Sequence, residues 1–250
     1  MSAKPTGNAA PSANGSIVLG PAVAAPERGT AKGRQAEVGA LETSAFTEAA
    51  IRLLDVLGAA LAIIVLSPFL LVIAAGIKLD SPGRVLFRQR RLGKDLEAFS
   101  VTKFRTMGEG ADSGVHRSHV ERMIAEDRRG ELPMSKLRED ARVTRVGSFL
   151  RRTSLDELPQ LWNVLCGEMS LVGPRPPIQY EVDAYPARAY RRFAVRPGLT
   201  GLWQVSGRSL VTFAEMIDLD TEYVERRSLW LNLKIIVLTV PTVLGGKGAE

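Results

Sequence analysis

Two adjacent carboxylates, Asp156 and Glu157, stand in the stretch RTSLDELPQLW, residues 152–162. Arg142, Arg145, Arg151 and Arg152 come just before them. Gly173-Pro174-Arg175-Pro176-Pro177, Arg196-Pro197-Gly198 and Gly207-Arg208 follow. These later arginines sit beside Gly and Pro, in rigid turns rather than on long solvated helix faces. A guanidinium is a fixed fork of donors that suits phosphate, and a helix N-terminus adds backbone donors for an anion. An acidic pair among such groups suits a divalent cation, because Mg2+ commonly bridges a carboxylate and substrate phosphates. One of the acids can then act as a nucleophile on phosphorus, since carboxylates form acyl phosphates. The same residues also read as a plain helix start. Ser154-x-x-Glu157 matches a capping box, acids in a first turn are favoured by the macrodipole, and Pro159 belongs in a first turn. The two readings are compatible, because a helix start itself supplies the anion site.

The elements that must position these residues are uneven in composition. The chain has 250 residues, a formal net charge of +6, 45% hydrophobic and 24% charged residues. That basic balance suits nucleic acid, an anionic membrane face or phosphorylated substrates. Residues 1–45 are rich in Ala, Gly, Pro and Ser and read as a disordered tail. From Val56 to Ile77 there are then 22 residues without a charge, long enough for one membrane-spanning helix. Ser67-Pro68 lies near the centre. Proline removes a backbone hydrogen bond there and clashes with the preceding turn, so a bend or break is expected, with the Ser67 hydroxyl able to satisfy a freed carbonyl. A spanning helix and a re-entrant helix, which enters and leaves on one face, are both compatible with this pattern. The basic flank Lys78, Arg84, Arg88, Arg90 and Arg91 places the following domain on the cytoplasmic side.

From Ser81 onward the pattern is that of a small folded domain. Strands are expected over Val85–Gln89 and from Phe99 to near Met107, where Phe99, Val101 and Lys103 alternate. A surface helix is expected over Val115–Arg128, helices over Gly147–Arg152 and Pro159–Leu165, and turn-strand-turn over GLTGLWQVSGR. LWLNLKIIVLTVPTVL, residues 229–244, is interrupted by Asn232, Lys234 and Pro241 and reads as a helix lying in the membrane interface with Trp230 at headgroup depth. His116 and His119 have no further ligand beside them and read as solvated rather than metal-bound. The single cysteine, Cys166, reads as a core residue. No nucleic-acid motif is present and aromatics are few, so nucleic-acid binding rests on charge alone.

KFRTM, LRRTSLDELPQLWNVLCGEMSLVGPRP and RPGLTGLWQVSGR together resemble the bacterial sugar transferases, the monotopic phosphoglycosyltransferases, over roughly residues 46–246. The resemblance is strongest to the galactosyl- and glucosyl-phosphate transferases of exopolysaccharide production. It implies an α+β, mainly helical architecture: a re-entrant membrane helix broken at Ser67-Pro68 (46–80), interfacial amphipathic helices, and a small cytoplasmic catalytic domain (81–246) at the bacterial inner membrane. It implies transfer of galactose- or glucose-1-phosphate from a UDP-sugar to undecaprenyl phosphate, with UMP released, Mg2+ as cofactor and a covalent intermediate on Asp156. Glu157 would bind the metal. Arg151 and Arg175 would engage phosphate, with Lys103, Arg105, Arg196 and Arg208 assigned to the same task from the flanking motifs. Membrane lipids are the expected surroundings, and a homodimer is compatible with the resemblance. The rival reading is a basic, membrane-anchored scaffold of a polysaccharide assembly complex. It accounts for the apolar run and the charge, but not for an acidic pair among so many Gly- and Pro-framed arginines.

Overall fold

The computed structural model describes residues 44–108, 142–183, 185–207 and 210–245. The expected tail, apart from its last two residues, lies outside them, as do His116, His119, Arg208 and the helix expected over Val115–Arg128. The described chain is mainly helical, with two small sheets.

The first helix, α1, runs from Ala45 to Asp80, 36 residues, and is long and apolar enough to cross a membrane. Only 11% of its most apolar window is buried, so it is not the core helix of the domain. Of the bend or break expected at Ser67-Pro68, no break occurs: the helix continues through Pro68. The local reason is visible. Proline at 68 cannot donate to the carbonyl of Ile64, four residues back, and the Ser67 hydroxyl donates to that same carbonyl at 2.8 Å. Around this point Ile64, Val65, Ser67, Pro68 and Phe69 are all exposed. At 100° per residue these cover about 200° of the circumference, so that side of the helix stands clear of the domain, while Leu66 and Leu70 on the other side are half-buried.

On both sides of that point α1 returns to the domain. Towards its start, Ile51, Asp55 and Ala59 are buried; towards its end, Ile73 and Ile77 are. Arg52 donates to the carbonyls of Val164 and Leu165 at 2.7 and 2.8 Å. One Asp55 oxygen accepts from the Ser170 hydroxyl and the Leu171 amide at 2.9 and 2.8 Å. At the other end Asp80 accepts from the amide of Val146 at 3.0 Å. Arg105 donates to the carbonyls of Ser81 and Pro82.

The domain begins with an antiparallel pair, β1 (Leu86–Leu92) and β2 (Ala98–Phe104), with Leu86 opposite Phe104 and Leu92 opposite Ala98. β1 extends past the expected Gln89. The outer edge of β2 is met by a side chain instead of a third strand. Asn163 accepts from the Thr102 amide at 3.1 Å and donates to the Ser100 carbonyl at 2.7 Å, an amide standing in for a peptide group on an open edge. Asn163 lies on α3 (Gln160–Cys166), which follows α2 (Arg145–Thr153). Behind this contact Val101, Leu161, Val164, Met169 and Ala59 form one buried cluster.

A parallel pair, β3 (Ser170–Val172) and β4 (Gly198–Thr200), follows α3, and the connection between its strands carries a short helix, α4 (Gln179–Asp183). After β4 the expected strand is instead a helix, α5 (Leu202–Ser206). Its apolar residues divide between two clusters as a helix divides its faces: Leu202 and Val205 pack towards Val172 and Tyr223, Trp203 towards Met216 and Ile217. Two longer helices close the domain, α6 (Phe213–Arg226) and α7 (Leu229–Leu244). α7 buries Asn232 and Ile235 and exposes Trp230, Val237 and Val240, the two-faced pattern of an interfacial helix. Cys166 is exposed, against the expected core position. It falls outside the face of α3 that buries Gln160, Leu161, Asn163 and Val164.

Replacing Asn163 by Leu keeps the branching and the number of side-chain heavy atoms but orphans the Thr102 amide and the Ser100 carbonyl. Each orphaned group costs about 1–3 kcal/mol, so the melting temperature in detergent should fall clearly. An unchanged melting temperature would show that this edge contact does not hold α3 to β2.

Candidate active site

Asp156 and Glu157 lie in a single 3-10 turn, Leu155–Glu157, wedged between α2 and α3. α2 ends because Ser154 adopts a left-handed conformation, φ 56° and ψ 17°, a position that a non-glycine residue reaches only at some cost. Ser154 makes no side-chain cap, so the capping box expected from Ser154-x-x-Glu157 does not form. In the left-handed conformation Ser154 serves as the C-cap of α2, and its carbonyl accepts from the Glu157 amide at 3.2 Å. Pro159, which has no amide hydrogen to lose, then opens α3 as its N-cap. The corner therefore presents two half-buried carboxylates between two short helices fixed from outside.

Lys103 on β2 reaches across to Glu157, with Nζ 2.6 Å from Oε1. The first motif, KFRTM, is thus joined directly to the acidic pair. The same motif carries Thr106, whose hydroxyl accepts from Arg151 Nε at 3.0 Å. Thr106 also explains the glycine at 147. A Cβ there would overlap the Thr106 backbone, so α2 can lie this close to the motif only with Gly147 in its first turn. Arg151 therefore stands on α2 within one turn of the acids, oriented by Thr106.

Arg175 comes from the GPRPP loop after β3. Its guanidinium is 3.3 Å from Glu181. Burial works against its charge, but Glu181 and Glu157 around it hold it above its ordinary value. Burial would likewise raise the Glu181 carboxyl, yet Arg175 and Arg91 outweigh that and hold it below its ordinary value. Glu181 also accepts from the Ile178 amide at 3.1 Å. Behind the loop, Arg192 is buried and donates to the Arg175 carbonyl at 3.0 Å, to the Tyr185 hydroxyl at 2.7 Å and to Asp220 at 2.5 Å. Burial pushes the Asp220 carboxyl up to about 6, against the pull of Arg192.

Lys103 thus bonds Glu157, Arg175 feels the charge of Glu157, and Arg151 stands in the last turn of α2, bonded to Thr106 of the motif that carries Lys103. Two other residues assigned to phosphate are engaged elsewhere. Arg105 is buried and grips the carbonyls after α1. Arg196 directs its Nε to the carbonyl of Gly167 at 2.9 Å, which closes the end of α3 opposite the acids. Arg91, Glu181, Arg192 and Asp220 belong to the site's surroundings and were not singled out from sequence. For Arg91 a signal existed: in a strand, Arg88 and Arg90 share one face while Gln89 and Arg91 share the other. Among the described residues no group of three or more His, Cys, Asp or Glu is placed to hold a metal. Two neighbouring carboxylates alone suit a hard cation that completes its shell with phosphate and water, and not a closed protein cage.

A family described as bacterial sugar transferase matches residues 46–246. The chain is 43% identical over 199 residues to the exopolysaccharide production protein ExoY of Rhizobium meliloti (strain 1021), covering 79% of this chain and 87% of that protein. It is 44% identical over 207 residues to the UDP-glucose:undecaprenyl-phosphate glucose-1-phosphate transferase of Xanthomonas campestris pv. campestris, covering 78% of this chain and 39% of that protein. With the galactosyl transferase CpsE of Streptococcus agalactiae serotype III (strain NEM316) it shares 39% identity over 200 residues, 80% of this chain and 43% of that protein.

The depressed Glu181 carboxyl gives a pH prediction. Its contribution to stability is present above its ordinary value of 4.5 and is lost as pH falls through the lower folded value. The wild-type melting temperature should therefore drop more steeply below about pH 4.5 than that of Glu181→Gln. Parallel curves for the two proteins would contradict the Arg175–Glu181 pairing.

Proposed function

The chain belongs to the bacterial sugar transferase family, and on that premise we propose that it moves a hexose-1-phosphate from a UDP-sugar to undecaprenyl phosphate, releasing UMP. This would be the first membrane step in building an exopolysaccharide repeat unit. The observation that carries the proposal is the corner between α2 and α3, where Asp156 and Glu157 lie in one turn, Lys103 from β2 bonds Glu157, the GPRPP-loop Arg175 feels the Glu157 charge, and Arg151 stands in the last turn of α2. The names of the relatives support both substrates: one is a UDP-glucose:undecaprenyl-phosphate glucose-1-phosphate transferase and another a UDP-galactose-lipid carrier transferase. The sugar is accordingly galactose or glucose.

In the proposed reaction an Asp156 carboxylate oxygen attacks the β-phosphorus of the UDP-sugar. The bond from that phosphorus to the oxygen shared with the α-phosphorus breaks, and UMP leaves with that oxygen. An oxygen of the lipid phosphate then attacks the same phosphorus, and the bond to Asp156 breaks to restore the carboxylate. Arg151 and Arg175 face the diphosphate and stabilise charge on departing UMP. Lys103 keeps Glu157 aligned beside Asp156. The acidic pair, Glu157 first, would hold Mg2+, which when bound neutralises diphosphate charge.

We further propose that α1 is re-entrant. Arg52 and Asp55 near its start and Asp80 near its end all bond to the same domain, while Ser67 and Pro68 at its middle are exposed. A straight helix of this length would extend about 54 Å, and a straight spanning helix would put its two ends on opposite sides of the bilayer. Both ends docked on one domain supports entry and exit on the cytoplasmic face of the bacterial inner membrane, with the site at headgroup depth beside the lipid phosphate.

Purified protein should release UMP from UDP-galactose or UDP-glucose only with both Mg2+ and undecaprenyl phosphate in turnover. Asp156→Asn should abolish release, by at least about 10³-fold for loss of a nucleophile, with membrane extraction unchanged. Near-normal turnover by this variant would sink the nucleophile assignment, and no release from any UDP-sugar would favour the scaffold reading. For topology, Ser44→Cys in a Cys166→Ser background should resist an impermeant thiol reagent in intact cells and react after permeabilisation. Labelling in intact cells would contradict re-entrance.

A further inference from the structure

The GPRPP loop that carries Arg175 is short of donors. Pro174, Pro176 and Pro177 have no amide hydrogen, so the loop cannot close on itself through its own backbone. Its carbonyls are instead held from outside, four in succession and each by a different residue. Pro174 accepts from the Gly198 amide at 2.9 Å, Arg175 from Arg192 Nη2 at 3.0 Å, Pro176 from Arg91 Nη1 at 2.5 Å, and Pro177 from the Leu92 amide at 3.0 Å. Two of these grips come from β1, and the Arg91 grip is made by a side chain.

Arg91 is itself aimed. Its Nε and Nη2 both point to the side-chain oxygen of Gln89, at 3.2 and 2.8 Å, two residues back on the same strand face. That leaves Nη1 directed at the Pro176 carbonyl. The side chain is buried, at 7% exposure. Among the described residues, the hydrogen bonds Arg91 makes go to uncharged oxygens, those of Gln89 and Pro176. A buried guanidinium without a bonded carboxylate is costly to keep, and a neutral Gln would satisfy the Pro176 carbonyl alone without burying a charge. Burial and the neighbouring Arg175 charge hold the Arg91 guanidinium down to about 10.

We propose that Arg91 is a positioning residue: through the Pro176 carbonyl and the Gln89 fork it fixes the backbone beside Arg175, so that the Arg175 guanidinium meets the substrate phosphate in one geometry. This rests on the reading of Arg175 as a phosphate-binding group. Arg175 then has three restraints. Glu181 holds its side chain, Arg192 its own carbonyl, and Arg91 the next carbonyl along the loop.

A double-mutant cycle on the full-length protein tests this, read as kcat/KM for UMP release from the UDP-sugar it uses. Arg91→Met alone should lower kcat/KM about 10- to 100-fold, the size of effect expected from misplacing a substrate-orienting group. In an Arg175→Ala background the same change should cost less than about threefold, because residues acting as a unit are not additive. Equal losses in both backgrounds would overturn the proposal, since Arg91 would then act independently of Arg175. If Arg175→Ala alone left kcat/KM unchanged, the phosphate-binding reading of Arg175 would fall and the proposal with it, a result visible in that single variant. Melting temperatures of all four proteins separate a folding defect from misplacement, because a purely structural loss would recur undiminished in the Arg175→Ala background. Should Arg91→Met not fold, Gln89→Leu removes the fork that aims Arg91 while leaving the guanidinium in place, and the same cycle with Arg175→Ala gives the same two outcomes.

Discussion

The amide of Asn163 laid along the edge of β2 is the contact on which the site depends. It bonds the backbone at Ser100 and Thr102, one residue from Lys103, and so sets α3 against the strand that carries the first motif. With that contact made, Lys103 reaches Glu157 and the acidic corner has one position relative to β2. The opposite end of α3 is closed by Arg52 from α1 and by Arg196 from the loop before β4. α3 is therefore a short strut with the acids at one end and a membrane helix bonded at the other.

That strut links the chemistry to the bilayer. Arg52, half-buried, and Asp55, buried, are charged residues just before the long apolar run of α1, and their bonds are to the domain. Buried charges of this kind are tolerated when hydrogen-bonded throughout. Here they fix how far the domain stands from the apolar part of α1. The exposed apolar residues of α7, Trp230 and Val237 among them, add a second surface suited to lipid contact. The proposed reaction, in which a water-soluble nucleotide sugar and a lipid phosphate are met in turn, benefits from such a fixed height.

Much of this was legible in the sequence. The helices on either side of the acids, the long apolar helix and the final helix from Leu229 to Leu244 all lie where hydrophobic periodicity and composition put them. The role of Ser67 was legible too, because a hydroxyl beside proline in an apolar run has an obvious carbonyl to satisfy. The misses have physical reasons. Ser154 looks like a cap, but the chain needs a left-handed residue there to turn from α2 into the acidic corner. Leu202–Ser206 alternates weakly enough to pass for a strand, and only packing on both β3 and α6 decides for a helix. Arg105 and Arg196 carry the motif signature of phosphate ligands, yet the carbonyls they grip belong to elements far away in sequence. No local pattern announces such partners. The same holds for Arg91, Arg192 and Asp220, whose importance lies in which loop they hold.

The central claim is that Asp156 carries the phospho-sugar between the two half-reactions. The most direct measurement is mass spectrometry of the purified protein after incubation with Mg2+ and the UDP-sugar it uses, without undecaprenyl phosphate. A hexose-phosphate adduct should appear on the peptide containing Asp156, be absent from Asp156→Asn, and disappear when undecaprenyl phosphate is added. An adduct on a different residue, or UMP release that proceeds with lipid while no adduct ever forms without it, would contradict the account.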